Sequence, residues 1–529
     1  MSDIKKPEYE VGQDNVEIFG LDVHNPVFFV SAVVVAAFVL FTLAFQSEAA
    51  EWFGASREWL TSNLDWVFMV AGNVFVLVCL FLILSPLGKV RLGGPDAKPD
   101  FSYGGWFAML FAAGMGIGLM FYGVLEPVYH MENPPLGIDP ANQELAARVG
   151  IAATIFHWGL HPWAIYAVVA LALAFFSYNR GLPLSIRAAF YPLLGKAVFG
   201  WFGHLIDILA VFATLFGLAT SLGLGAEQAG AGLNYLFDIP VNNYTKILLI
   251  LGISAIALTS VVAGLEAGVK RLSEINMVIA FILLAFIIIA GPTAAILSGI
   301  WDNTLAYLEY LPALSNPIGR EDESFLHGWT TFYWAWWISW SPFVGMFIAR
   351  VSRGRTVREF ITCVLIIPTL VTIVWMSAFG GTAIDQIVSG GYMGVLKDTV
   401  QTWAPELALF KMLDIMPMTE IASFIGIVLV IVFFVTSSDS GSLVIDTITA
   451  GGKVDAPVRQ RVFWCVIEGL IAIALLLGGG LSSLQAAAIA TGFPFAVVLM
   501  LMCVSIIKGL AQERKYHVDE TGQIVEENA

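Results

Sequence analysis

The stretch GWTTFYWAWWISWSPFVGMFIARVSRGRTVRE, residues 328–359, is the densest run of tryptophan in this chain. Five of the protein's 16 Trp residues lie within its first thirteen positions. A helix would place Trp336, Trp337 and Trp340 on one face, within an arc of roughly 100°. Indole faces are good partners for cations that cannot donate hydrogen bonds, such as quaternary ammonium ions. An interfacial tryptophan belt or core packing would also use such residues, but Trp340 lies ten residues before Arg350 and is too deep for a belt.

The composition indicates a membrane protein with many spans. Of the 529 residues, 58% are hydrophobic and 13% are charged, and the mean hydropathy is +0.80. Many apolar runs exceed the roughly 18 residues needed to cross a bilayer. All four cysteines lie within such runs, which is typical of small hydrophobic residues rather than of disulfides or metal ligands. The net charge of −15 argues against nucleic-acid binding.

Twelve membrane spans are predicted, and with them an all-α polytopic fold. They cover residues 26–45, 65–87, 105–127, 150–177, 203–236, 246–263, 274–297, 329–350, 358–380, 420–446, 461–481 and 484–507. Residues 26–507 would form one transmembrane domain between an N-terminal tail, 1–25, and a short C-terminal tail, 508–529. The fifth span is too long for one straight crossing, and its glycine pairs at 223/225 and 230/232 predict a break or a strong tilt.

Lysine and arginine are distributed unequally between the two sides of these spans. With both termini inside, the inner loops and tails hold 20 of the 26 basic residues, and the outer loops hold 6. Cytoplasmic loops of membrane proteins carry such an excess. The distribution therefore predicts that both termini lie in the cytoplasm.

The third span contains glycine at every second position, as Gly114, Gly116 and Gly118. Each glycine costs about 1 kcal/mol relative to alanine inside a helix, so the run favours an unwound segment. Unwound backbone at membrane depth is tolerated where it lines a cavity, and transporters use it to expose amides to a carboxylate and carbonyls to a cation. Close packing of two helices over Gly114 and Gly118 is an equally good interpretation.

The fourth span carries a second aromatic wall and two histidines. Trp158, Trp163 and Tyr166 fall within an arc of roughly 140° on a helix. His157 and His161 are four residues apart, as two metal ligands on a helix would be, but no Glu lies between them to act as a base. Hydrogen-bonded packing is the commoner role of such a pair, and a proton relay is a further alternative.

The tenth span ends in a cluster of hydroxyl and carboxyl groups. Its polar residues are Thr436, Ser437, Ser438, Asp439, Ser440, Ser442 and Asp446. Polar groups are costly inside a membrane unless they are paired. Hydroxyl and carbonyl oxygens are suitable ligands for sodium, although single hydroxyls commonly bond to a carbonyl one turn earlier.

Together these motifs resemble the betaine/carnitine/choline transporter family, and within it the sodium-coupled glycine betaine symporters. The matching motifs stand in the family's order, as Gly114–Gly118, Trp158–Tyr166, Trp334–Arg355 and Thr436–Ser442. The resemblance covers about residues 60–507. It implies two N-terminal helices followed by a five-plus-five inverted repeat, spans 3–7 (about 105–297) and 8–12 (about 329–507). It also implies a homotrimer surrounded by lipid in the bacterial inner membrane.

The family's substrate site maps onto the first three of these motifs. Its aromatic box would consist of Trp158, Trp163, Tyr166, Trp336, Trp337 and Trp340. The substrate would also contact the glycine stretch, Gly114, Met115, Gly116, Ile117 and Gly118.

The resemblance also implies sodium sites. One would use backbone oxygens of Ala112, Met115 and Phe433 with the hydroxyls of Thr436 and Ser437. A second would involve Thr214 and Phe343. Because the turn after Thr214 offers Leu218 instead of a hydroxyl, the sequence leaves the sodium stoichiometry open.

Two features indicate the substrate and the coupling ion within this family. Proton-coupled choline members carry an acidic residue at the position of Gly118, whereas glycine suits a zwitterion that brings its own carboxylate. Sodium-independent exchangers place a fixed Arg in span 5, but no Lys or Arg occurs here between Lys196 and Lys246. Sodium is therefore the expected source of positive charge, and no other cofactor is expected.

The sequence thus predicts a secondary transporter and not an enzyme. A sodium gradient would drive uptake of a quaternary-ammonium zwitterion, with glycine betaine expected, as a compatible solute by alternating access. Dimethylsulfoniopropionate, ectoine, carnitine and choline are alternatives that the sequence does not rank. A channel and a metalloenzyme using His157 and His161 are alternatives from other classes, and the metalloenzyme lacks an evident third ligand and base.

Overall fold

The computed structural model describes residues 9–263, 270–518 and 524–526. Within these ranges the chain forms 18 α-helices: α1 (Val27–Ala44), α2 (Gln46–Leu84), α3 (Tyr103–Gly114), α4 (Ile117–Glu132), α5 (Gln143–Trp158), α6 (Leu160–Tyr178), α7 (Tyr191–Leu194), α8 (Trp201–Phe237), α9 (Asn243–Ala263), α10 (Lys270–Ala290), α11 (Thr293–Leu314), α12 (Glu323–Phe325), α13 (Thr331–Val351), α14 (Val357–Val388), α15 (Ala408–Leu413), α16 (Thr419–Thr449), α17 (Val458–Leu477) and α18 (Leu481–Lys515). Two antiparallel hairpins complete the described fold, β1 (Asn15–Ile18) with β2 (Leu21–His24) and β3 (Tyr516–Val518) with β4 (Ile524–Glu526).

The helices confirm an all-α polytopic membrane fold. In the described chain ten helical segments are long and apolar enough to cross a bilayer, or eleven when the bent pair α3–α4 counts as one span. The predicted eighth span, α13, has 21 residues but falls outside this set, because its Trp, Tyr and Ser side chains are only weakly hydrophobic. The total of twelve spans and the inverted repeat stay predictions.

Several helix bounds differ from those of the predicted spans. The second span, 65–87, is the end of a longer helix that begins at Gln46. The fourth, 150–177, is interrupted at Gly159, between α5 and α6. The seventh, 274–297, ends at Ala290, because proline follows Gly291 and cannot continue the helix hydrogen bonds.

For the fifth span a break or a strong tilt was predicted, and the break is wrong. α8 runs from Trp201 to Phe237 without interruption. Its glycines allow close packing instead: a Cβ at Gly223 would lie 2.4 Å from Leu484 Cδ1, and one at Gly232 would lie 2.4 Å from Phe410 Cζ. The small residues that suggested a break are therefore contacts between helices.

The bundle encloses the helices that carry the predicted site. α6 and α13 are buried along most of their length, and α13 packs against α6, α8 and α18. Large apolar side chains remain exposed on the outer helices α1, α9 and α10, for example Leu40, Leu248 and Ile289, as is typical of a surface that faces lipid.

The two predicted tails are partly ordered against the bundle. In the first tail, Asn15 Nδ2 donates to the Ala450 carbonyl at 3.0 Å, and the amide of Asp22 donates to Gln460 Oε1 at 3.2 Å. α18 continues past the predicted end at 507 to Lys515. Glu513 near its end pairs with Arg180 at 3.2 Å.

Candidate functional site

The third predicted span is broken in the middle. α3 ends at Gly114, and α4 begins at Ile117 at an angle of 64° to it. Met115 (φ −93°, ψ 133°) and Gly116 (φ −173°, ψ −179°) are extended between them. The expected unwinding is confirmed, and it leaves backbone N–H groups at the start of α4 without intrahelical partners.

A narrow cavity of about 50 Å³ lies beside this break. Its walls include the complete predicted aromatic box and the complete glycine stretch: Trp158, Trp163, Tyr166, Trp336, Trp337, Trp340, Gly114, Met115, Gly116, Ile117 and Gly118. Ser221 and Thr372 also line it and were not predicted. The fold therefore brings together every residue predicted to contact substrate, although their role in binding stays a prediction.

Hydrogen bonds fix the orientation of two of the box indoles. Trp158 Nε1 donates to Glu126 Oε2 at 2.8 Å, and Trp337 Nε1 donates to the His157 carbonyl at 2.9 Å. The rings of Trp158 and Trp337 meet edge to face, with centroids 4.9 Å apart. Because their N–H groups are bonded within the protein, these indoles offer carbon surface to the cavity.

One carbonyl group on α8 holds two further indoles. The Gly217 oxygen accepts hydrogen bonds from Trp340 Nε1 at 2.9 Å and from Trp336 Nε1 at 3.3 Å. Trp336 Nε1 also lies 3.2 Å from Ser221 Oγ, and its ring stacks on Trp337 at 4.8 Å. The sequence reasoning missed Gly217, since nothing distinguishes it from the other glycines of that span.

The glycine stretch is in direct contact with the box. A Cβ at Gly118 would lie 2.6 Å from Trp158 Cη2 and 2.9 Å from Trp336 Cη2. A Cβ at Gly114 would lie 3.3 Å from Trp163 Cζ2. Both contacts leave little room for a side chain. Close packing therefore favours glycine at position 118, in addition to the expectation that a zwitterion needs no acidic residue there.

The residues of the predicted sodium site lie on two helices and at the break. They are Ala112, Met115, Phe433, Thr436 and Ser437. Thr436 Oγ1 lies 3.0 and 3.2 Å from the carbonyls of Val432 and Phe433, to which it donates, and it accepts a hydrogen bond from Asn276 Nδ2 at 3.1 Å. Of the five, only Met115 is among the described residues that line the cavity. The sodium site stays a prediction, and Asn276 is a polar neighbour that sequence reasoning missed.

The second predicted sodium pair, Thr214 and Phe343, is also outside the cavity lining in the described chain. Thr214 Oγ1 donates to the Ala210 carbonyl at 2.7 Å. Phe343 packs edge to face on Trp340, with centroids 5.2 Å apart. Leu218 is fully buried one turn after Thr214, so no hydroxyl is available at that position.

His157 and His161 have separate partners. His161 Nε2 lies 3.1 Å from Asn73 Oδ1, and its ring stacks on Trp334 with centroids 5.4 Å apart. His157 Nδ1 lies 2.6 Å from Glu126 Oε1, and its Nε2 lies 2.9 Å from Thr330 Oγ1. The packing interpretation therefore fits His161, whereas His157 belongs to a different group.

That group consists of Glu126, His130 and His157, whose potential ligand atoms all lie within 4.8 Å of one another. Two ligand atoms on tetrahedral zinc would be about 3.3 Å apart, given bonds of about 2.0 Å. The 2.6 Å between His157 Nδ1 and Glu126 Oε1 is instead a hydrogen-bond distance. The geometry fits a hydrogen-bond network better than a metal centre. Sequence reasoning missed Glu126, although a carboxyl group inside a predicted span was the available signal.

Comparison with known proteins identifies the family. The profile of the betaine/carnitine/choline family transporters matches residues 26–515. The chain belongs to this family. A glycine betaine/proline/choline transporter of Vibrio parahaemolyticus is 59% identical over 525 residues, which cover 96% of this chain and 94% of the relative. Glycine betaine transporter 1 of the same species is 57% identical (97% and 98% covered), and the glycine betaine transporter OpuD of Bacillus subtilis is 42% identical (93% and 95% covered).

Family membership confirms the resemblance seen in the sequence. The chain is a multi-pass membrane transporter of the betaine type and not an enzyme, so the metalloenzyme alternative is wrong. A solved structure of a manganese transporter from Eremococcus coleocola is 12% identical and covers 81% of this chain, with a TM-score of 0.37. A likeness of this degree carries no inference about fold or substrate.

Proposed function

We propose that this transporter is a sodium-coupled symporter that accumulates glycine betaine as a compatible solute by alternating access. The observation that carries the proposal is that one cavity is lined by all six box aromatics and by the broken segment 114–118. Relatives named for glycine betaine transport, at 42–59% identity, support the choice of substrate.

The aromatic walls suit the trimethylammonium head of a betaine. Such a head carries positive charge but has no N–H group, so it gains nothing from hydrogen-bond acceptors and is attracted to π faces. Each contact with an indole contributes about 0.5–2 kcal/mol, with the larger value where water is excluded. Trp158 and Trp337 are 93% buried, so an occupant of the cavity would meet rings that are already largely desolvated.

The carboxylate of the substrate would bind at the break. The first N–H groups of α4 are free of intrahelical partners, and the positive end of the helix dipole lies there. Met115, Gly116 and Ile117 all line the cavity. A zwitterion would thus place its cationic head among the rings and its anionic end against these amides.

Sodium would bind next to the break, through the carbonyls of Ala112, Met115 and Phe433 and the hydroxyls of Thr436 and Ser437. Met115 belongs to both the proposed substrate site and the proposed sodium site. This shared residue gives a physical route by which sodium binding and substrate binding are coupled. If two ions are transported per substrate, Thr214 and Phe343 would contribute to the second site.

Transport into proteoliposomes tests the proposal. An inward sodium gradient should drive concentrative uptake of labelled glycine betaine, and an equal potassium gradient should not. Uptake that is undiminished without sodium would contradict the symport mechanism. Competition by unlabelled proline, choline, ectoine, carnitine and dimethylsulfoniopropionate ranks the substrates, and a lack of glycine betaine uptake would contradict the assigned substrate.

We further propose a location in the bacterial inner membrane, with both termini in the cytoplasm, a lipid-surrounded homotrimer and no nucleic-acid partner. The charge distribution supports the orientation, and the family resemblance supports the trimer. Labelling of single cysteines at the two ends of the bundle in intact cells tests the orientation. A monomeric mass of the protein in nanodiscs would contradict the trimer.

A further inference from the structure

Glu126 is a fully buried carboxyl group with donors from two other helices. Its Oε2 lies 2.8 Å from Trp158 Nε1 and 2.6 Å from the Tyr333 hydroxyl, and its Oε1 lies 2.6 Å from His157 Nδ1. Its exposure is zero. These three short contacts of the Glu126 side chain connect α4 with α5 and α13.

This arrangement differs from a structural ion pair. Within the described part of the chain, the basic groups within 4.0 Å of Glu126 are the imidazoles of His130 and His157, and no Lys or Arg is among them. A buried carboxylate without a permanent cation is costly. Glu126 can therefore stay ionised only with a dense set of hydrogen-bond donors, which is present, or with a positively charged occupant nearby.

The donors of Glu126 are parts of the aromatic box or touch it. Trp158 has its N–H group on Glu126 and the opposite edge of its ring against Gly118. The Tyr333 ring stacks on Trp337 with centroids 5.7 Å apart, and the His157 carbonyl accepts the Trp337 N–H at 2.9 Å. One carboxyl group thus sets the orientation of two box indoles, directly for Trp158 and through Tyr333 and His157 for Trp337.

Glu126 is also fixed relative to the break. It lies on α4 nine residues after Ile117, the first residue of that helix, which is about 13 Å along the axis. The helix that presents its N-terminus to the cavity therefore carries the group that orients the indoles. A movement of α4 would displace both halves of the site together.

We propose that Glu126 is an ionised positioning residue that orients the box and strengthens its attraction for the onium group of the substrate. This inference rests on the proposed function. The charge-assisted hydrogen bond from Trp158 restricts the indole to one orientation and shifts electron density toward its ring. The negative charge behind the ring then adds to the attraction between the π face and a quaternary ammonium ion.

Equilibrium binding of labelled glycine betaine to the purified full-length protein, at constant sodium, tests the inference. Glu126→Gln keeps the shape but removes the charge, and it should raise the Kd about tenfold or more with an unchanged number of sites. Glu126→Asp keeps the charge and should recover part of that loss.

Glu468→Gln is the matched control, because Glu468 is equally buried and accepts hydrogen bonds from Ser438 and Ser442. The Kd of this variant for glycine betaine should stay within about twofold of the parent value.

A double-mutant cycle determines whether Glu126 acts through the indole. Trp158→Phe keeps an aromatic ring but removes the N–H donor. If Glu126 acts through the Trp158 indole, the two losses are not additive. The Kd of the double variant Trp158→Phe/Glu126→Gln should then be about equal to the larger of the two single-variant Kd values. Fully additive losses would overturn the inference, and so would a Kd for Glu126→Gln within twofold of the parent.

Tyr333→Phe keeps the test decisive if Glu126→Gln does not fold. This variant leaves the carboxyl group in place and removes one of its donors, so a severalfold increase in Kd is expected. Its control is Tyr307→Phe, which changes another buried tyrosine whose hydroxyl accepts from the amide of Leu160. Equal binding by Tyr333→Phe and the parent would overturn the inference. Failure of the parent itself to bind glycine betaine would instead contradict the proposed function.

Discussion

The carbonyl oxygen of Gly217 accepts the indole hydrogen bond of Trp340 at 2.9 Å, across the contact between α8 and α13. A Cβ at position 217 would lie 3.0 Å from both Trp340 Cδ1 and Ser339 Cβ. The two helices therefore lie closer here than an alanine at position 217 would allow without a shift of its neighbours. A backbone group of the fifth predicted span thus determines how a box indole meets the cavity.

Gly217→Ala should lower the efficiency of glycine betaine uptake about tenfold, because a sub-ångström displacement of a binding group is sufficient to weaken substrate positioning. Initial rates at several substrate concentrations in proteoliposomes measure the effect. Gly252→Ala is the control, since a Cβ at that position on α9 would meet nothing within 4 Å. Parent-like kinetics of Gly217→Ala would show that the Trp340 orientation is unimportant.

Trp340→Leu should abolish uptake, because it removes a cation–π contact of about 2 kcal/mol or more in a desolvated site together with the bond to Gly217. Trp340→Phe should retain part of the activity, since it keeps a ring without the N–H donor. Trp301→Leu is a suitable control: Trp301 lies on α11 and is 66% exposed. Near-normal uptake by Trp340→Leu would refute the aromatic box.

Gly118→Ala should also impair uptake strongly. The added methyl group would lie 2.6 Å from Trp158 and 2.9 Å from Trp336, so one of the rings must move out of its place. Gly104→Ala on α3 introduces the same methyl group where nothing lies within 4 Å, and it should transport normally. If the two variants transport equally well, the close contact between the broken segment and the box has no functional role.

Thr436→Ala should raise the sodium concentration for half-maximal uptake about tenfold or more, since a hydrogen-bonding group lost from a charged ligand costs about 1.5–3 kcal/mol. Thr436→Ser should restore the parent value. Thr447→Ala serves as the control, because Thr447 is a buried threonine on the same helix whose hydroxyl donates to the Leu443 carbonyl. An unchanged sodium dependence of Thr436→Ala would remove this residue from the sodium site.

Much of the site could be predicted because its residues are chemically conspicuous. Five tryptophans in thirteen positions and three alternating glycines are costly or unusual in a membrane helix, so each pattern marked its stretch as a candidate binding segment, although packing was an alternative for both. Gly217 and Glu126 gave weaker signals. A backbone carbonyl has no signature in a sequence, and one carboxyl group near the predicted end of a span is only a weak signal, because charged residues are also common at the membrane surface.

The glycine runs of the third and fifth spans are similar in sequence but differ in structure. The glycines of the third span predicted unwinding or close packing, and those of the fifth predicted a break or a strong tilt. The third span is broken, with a bend of 64°, whereas α8 is continuous. Leu484 and Phe410 pack closely over Gly223 and Gly232. The energetic cost of glycine in a helix is local, but tertiary packing decides whether that cost is relieved by unwinding or offset by close contact.

The sequence by itself determined the membrane class, the family and the residue types of the site, because hydropathy, aromatic clustering and glycine spacing are properties of short stretches of chain. Only the tertiary structure decided that the box and the break line one cavity, that Gly217 and Glu126 orient its indoles, and that His157 and His161 have different partners. These relationships depend on distances between helices that are far apart in the chain, and such distances follow from the packing of the whole bundle.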